Sequence, residues 1–116
     1  MENLTIWHNP KCSKSRVAME IIKSSGSECR VVEYLKDTPT KDEIKQALKL
    51  LNISARELMR TGEEVYKELN LDAQIDEEKL IEAMYQNPIL IQRPIIFKNG
   101  KAIIGRPTSL VEEFIA

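Results

Sequence analysis

A chain of 116 residues is long enough to bury one core without disulfide or metal staples, and too short for several domains. Hydrophobic residues at 42% and charged residues at 30% are ordinary globular proportions, and a formal net charge of −1 gives no bulk attraction to nucleic acid or membrane. No run approaches the ~20 apolar residues of a membrane helix, and Met1 to Arg16 lacks the apolar stretch of a signal peptide. The expectation is a cytoplasmic monomer with no membrane or nucleic-acid partner.

Leu4 to Trp7 reads as a short buried strand, followed by a loop, His8-Asn9-Pro10-Lys11. Ala18, Ile21 and Ile22 then fall at helical spacing before Gly26 stops the helix, and Val31, Val32 and Tyr34 form a second strand. Strand, helix and strand over this length make a βαβ unit with parallel strands. Thr40 with Glu43 is a capping box, with Ile44, Ala47, Leu48 and Leu51 on one helix face behind it. Ser54 with Glu57 is a second capping box, opening a short helix that carries Leu58 and ends in Arg60. The charged run from Glu63 to Glu68 reads as a solvated helix face. Asp76 caps a further helix with Leu80, Ile81 and Met84 inward, which Asn87-Pro88 ends.

Ile95-Ile96-Phe97 and Ala102-Ile103-Ile104 flank Asn99-Gly100, a hairpin signal, and a last helix runs from about Ser109 to Ile115. The layout is a βαβ unit, a helical insertion at about 40–87, and a ββα unit. That predicts a single α/β domain of thioredoxin-like fold, a mixed four-stranded sheet flanked by helices.

Cys12 falls at the start of the first helix, where free N–H groups and the positive end of the helix dipole favour thiolate over thiol. His8, Lys11 and Arg16 lie close by and offer positive charge, and Ser13 and Ser15 offer hydrogen bonds. This polar setting reads as that of a catalytic cysteine rather than of a small buried hydrophobe. A thioredoxin would carry its second cysteine where Ser15 stands, so any disulfide chemistry needs an outside thiol. Cys29, at the entry to the second strand, reads as structural. Two cysteines and one histidine are too few for a four-ligand zinc site, and no bound metal or cofactor is expected.

Arg93-Pro94 precedes the hairpin, where thioredoxin-like folds place a cis proline facing the nucleophile. Arg106 follows Gly105 and precedes Pro107. The two strands should carry Arg93 and Arg106 to the edge that holds the Cys12 loop, where guanidinium groups would bind a tetrahedral oxyanion.

These residues resemble the glutaredoxin-linked arsenate reductase family in its short form. The marks are His8-Asn9-Pro10-Lys11-Cys12-Ser13-Lys14-Ser15-Arg16, Glu57-Leu58-Met59-Arg60, Tyr66-Lys67-Glu68-Leu69, Arg93-Pro94-Ile95 and Gly105-Arg106-Pro107. Longer members have smaller residues where Ser13-Lys14 stands here. The resemblance implies that Cys12 takes arsenate as a covalent adduct and that Arg60, Arg93 and Arg106 surround the oxyanion. It further implies that glutathione attacks the adduct, that glutaredoxin reduces the resulting mixed disulfide, and that His8 and Ser15 lower the cysteine pKa. Two other readings share the fold. One is a general thiol reductase or deglutathionylase. The other is a redox-responsive regulator that binds RNA polymerase, whose usual CxxC switch Ser15 breaks.

Overall fold

A computed structural model describes residues 4–116. The chain divides into two compact units, one formed by the residues up to Asp37 together with Arg93–Ala116, the other by Thr38–Gln92. The segment expected as an insertion over about 40–87 is thus a compact unit with slightly wider bounds.

The first unit holds the sheet. Strands β1 (Leu4–Trp7), β2 (Cys29–Val32), β3 (Ile95–Lys98) and β4 (Lys101–Ile104) lie in the order β2-β1-β3-β4. β1 and β2 are parallel, as a strand-helix-strand crossover requires, with Leu4 opposite Cys29 and Trp7 opposite Val32. β3 runs antiparallel to both β1 and β4. The β3–β4 turn places Asn99 at φ 49° and Gly100 at φ 76°, the left-handed pair that the Asn-Gly signal predicts. This is the mixed four-stranded sheet of a thioredoxin-like fold.

Helices α1 (Ser13–Ser24) and α6 (Ser109–Ile115) bury one face of the sheet. Leu4, Ile6 and Ile96 from the strands, Ala18 and Ile22 from α1, and Val111 and Ile115 from α6 form one buried cluster. On the opposite face Trp7 packs against Phe97, with ring centroids 5.1 Å apart. Tyr34, expected in the second strand, lies beyond it. β2 stops at Val32, whose carbonyl accepts the His8 N–H, and the amides of Lys36 and Asp37 then fold back onto the Glu33 carbonyl. Tyr34 is still fully buried, so its apolar signal reported burial rather than strand.

The second unit is helical: α2 (Lys41–Leu51), α3 (Ala55–Leu58), α4 (Glu64–Glu68) and α5 (Glu77–Gln86), with two one-turn 3-10 segments at Leu71–Ala73 and Pro88–Leu90. Both capping boxes close, Thr40 with Glu43 and Ser54 with Glu57. Asp76 accepts the Glu78 N–H and caps α5. Arg60 does not end a helix. α3 stops at Leu58, because Met59 is extended and bridges Ile91, and the Arg60 N–H bonds to the Leu90 carbonyl at 2.6 Å. Long-range backbone pairing thus overrides helix propensity at Met59. The charged run is only partly a solvated face, since Tyr66 is buried and Glu63 is drawn back to Arg60.

Candidate functional site

The site grows from the end of β1. Asn9-Pro10-Lys11-Cys12 is a tight turn, with the Cys12 N–H bonded to the Asn9 carbonyl at 3.0 Å and proline fixing the second position. The Asn9 side chain closes it from within, its Oδ1 accepting the Lys11 N–H at 3.0 Å. The Asn9 N–H donates to Ser15 Oγ at 3.0 Å, and that hydroxyl lies 2.6 Å from His8 Nδ1. His8, Asn9 and Ser15 are all buried. One polar cluster therefore ties the loop to the first turn of α1. In the sequence Asn9 has a place in the loop but no role of its own, although Asn-Pro is itself a turn signal.

This anchoring leaves Cys12 as the N-cap residue of α1, in extended conformation with φ −94° and ψ 124°. Helix N-caps are usually Ser, Thr, Asp or Asn, whose oxygen accepts an amide of the first turn. Here sulfur occupies that place. The first turn of α1 contains no acidic residue, so the positive helix end is uncompensated. Burial is the largest single influence on the thiol and pushes its pKa up. It is outweighed by the Ser15 N–H, the Arg93 side chain, the Lys14 N–H and the Arg93 charge, which together hold Cys12 below the usual thiol range.

The sign of the pH dependence follows. With a lowered pKa the thiolate persists below pH ~8.5, where a free thiol protonates. Alkylation of Cys12 by iodoacetamide should therefore show a midpoint below that value, and a midpoint at or above it would mean that the thiolate is not stabilised. Cys29 should show the reverse, since burial raises its pKa.

Burial, followed by opposing effects of Glu33 and Arg16, lowers the His8 pKa below the usual imidazole value and so disfavours a positive charge there. The hydrogen bond between His8 and Ser15 ties the ring to the first turn of α1.

The two strand-borne arginines do come together with Cys12. Arg106 Nη2 lies 3.5 Å from Cys12 Sγ, and its Nε donates to the Arg93 carbonyl at 2.7 Å. Both arginines precede a cis proline, Pro94 as expected and Pro107 in addition. Pro94 is buried, and its carbonyl accepts the Gly105 N–H at 2.9 Å. A Cβ at Gly105 would lie 3.0 Å from Pro94 Cγ and 3.0 Å from Val111 Cγ2, so glycine is what lets the two arginine segments approach. Arg106 is exposed, whereas Arg93 is half-buried, with Nε and Nη1 shielded from solvent and without a hydrogen-bond partner among the described residues. Buried guanidinium N–H groups that go unpaired are costly, and an anion beside Cys12 would satisfy them.

Arg60 belongs to the other unit, where its Nε donates to Glu63 Oε2 at 3.1 Å. Cys29 opens β2 opposite Leu4, while Cys12 follows the far end of β1, so the length of that strand, roughly 10 Å, separates the two along the sheet. An internal disulfide needs Cα atoms within about 7 Å.

Residues 7–114 match the ArsC family. An uncharacterized protein of Escherichia coli K12, YfgD, is 48% identical over 116 residues, covering 98% of each chain. An arsenate reductase of Neisseria meningitidis serogroup A is 41% identical, with 97% of each chain covered. The solved structure of an arsenate reductase from Vibrio cholerae superimposes with a TM-score of 0.92 at 42% identity, covering 96% of each chain.

Proposed function

The chain belongs to the ArsC family, and from that membership together with the site we propose that it reduces arsenate to arsenite through Cys12, with glutathione and glutaredoxin supplying the electrons. The observation that carries this reading is the pair of buried, unbonded guanidinium nitrogens of Arg93, Nε and Nη1, beside a cysteine whose pKa is lowered. A cation with donors to spare next to a nucleophile is what capture of an oxyanion requires.

In the proposed cycle the oxyanion docks on Arg93 and Arg106, which offset its charge as the thiolate approaches. The Cys12 sulfur attacks arsenic, an arsenic–oxygen bond breaks, and the oxygen leaves as water once protonated. Arsenic is still pentavalent in this adduct. Glutathione then joins its sulfur to that of Cys12. The two thiols give up two electrons, the arsenic–sulfur pair stays on arsenic, and trivalent arsenite departs. Glutaredoxin attacks the mixed disulfide and returns Cys12 to thiolate. No bound cofactor is needed. Ser15 offers no second thiol, which is why the reductant comes from outside. Arg60 is assigned to the oxyanion on the family resemblance alone.

A coupled assay following NADPH oxidation, with arsenate, glutathione, glutaredoxin and glutathione reductase, tests the cycle. Turnover should require both glutathione and glutaredoxin. Sustained turnover at a comparable rate with thioredoxin in their place would sink it.

A further inference from the structure

The cations around Cys12 fall into two groups. Arg93 is half-buried, Arg106 is bonded to the Arg93 carbonyl, and Arg16 donates to the Pro10 carbonyl at 3.1 Å. Lys11 and Lys14 flank the thiol in sequence and are exposed. Their side chains form no ion pair or hydrogen bond among the described residues. No carboxylate offsets them locally. Residues 8–16 contain no Asp or Glu, and the first acidic residue of α1 is Glu20, in a chain with 18 acidic residues against 17 basic ones. Glu33, whose charge reaches His8, is itself 3.8 Å from Lys36.

From this separation of fixed guanidinium groups and free ammonium groups we infer that Lys11 and Lys14 form the binding site for the carboxylates of the thiol that attacks at Cys12. The inference rests on the reading above, in which an external thiol completes the cycle. A peptide thiol such as glutathione carries its carboxylates at the ends of a flexible body, away from sulfur. An ammonium on a four-carbon stem can follow such a group, whereas a guanidinium pinned to a strand end suits a compact tetrahedral anion. The approach also needs help, because an anionic thiol meets an anionic arsenic adduct, whose charge sits on the arsenic oxygens. A change in the Cys12 nucleophile itself would slow its exchange with any disulfide, so the comparison that isolates the lysines is between a charged and an uncharged one.

The test omits arsenate and glutaredoxin. Cys12 thiolate attacks oxidised glutathione, a sulfur–sulfur bond forms, and glutathione thiolate leaves. The same exchange with bis(2-hydroxyethyl) disulfide, which is uncharged, serves as the reference. The Lys11→Ala/Lys14→Ala variant should lose about two- to thirty-fold in rate with oxidised glutathione relative to the neutral disulfide, the scale of two exposed ion pairs. The Lys11→Glu/Lys14→Glu variant should lose more, and added salt should shrink the wild-type preference. If the ratio of the two rates is unchanged in both variants, or both disulfides slow equally, the lysines do not recognise the thiol. Failure of arsenate turnover with this ratio shift intact would count against the proposed function alone.

Discussion

Cys12→Ser should turn over no arsenate above background, while Cys29→Ser should keep most of the wild-type rate. The helix end and Arg93 lower a thiol pKa and favour its ionised form, but a hydroxyl ionises too weakly for the same environment to deprotonate it. No general base lies ready to compensate, since the neighbouring His8 is engaged with Ser15. Cys29, raised in pKa by burial and a strand length away, has neither the reactivity nor the position to act. Initial rates in the coupled assay, with intact protein mass confirming each variant, check both results. A Cys29→Ser enzyme as inactive as Cys12→Ser would point to an internal disulfide relay instead.

Arg93→Ala should cost roughly 1.5–3 kcal/mol of transition-state stabilisation, or about ten- to a hundred-fold in kcat/KM for arsenate. Arg93 is singled out because its donors are shielded from solvent, whereas Arg106 is exposed and should fall toward the low end of that range. Arg93→Lys keeps the charge but loses the planar fork, so it should recover only part of the loss. Arg93 also lowers the Cys12 pKa, so neutral-pH alkylation should slow somewhat in Arg93→Ala. Above the thiol pKa of both proteins the alkylation rates should converge. Thermal stability should hold or rise, because the substitution removes buried donors that nothing satisfies in the free protein. Normal arsenate reduction by Arg93→Ala would remove the anion site and the arsenate assignment with it.

The sequence by itself determined what depends on neighbours in the chain. The capping boxes at Thr40 and Ser54, the Asn99-Gly100 turn, the last helix and the place of Cys12 at the head of α1 all rest on contacts within a few residues. Cys12 could be read as a nucleophile for the same reason, since a helix N-terminus is a local feature.

Only the tertiary structure decided where chain segments far apart in sequence meet. It ended α3 at Leu58, because the bridge from Met59 to Ile91 takes backbone groups that a further helical turn would use. It lowered the pKa of His8, because desolvation depends on what packs around the ring rather than on the cations beside it in sequence. It gave Asn9 and Gly105 their structural roles, one through hydrogen bonds that close a turn, the other through space that a Cβ would fill. Above all, among the described residues, it separated Arg93 from the other cations as the one with shielded, unpaired donors. Unpaired burial is a sum over every neighbour in space, and the order of residues along the chain does not contain it.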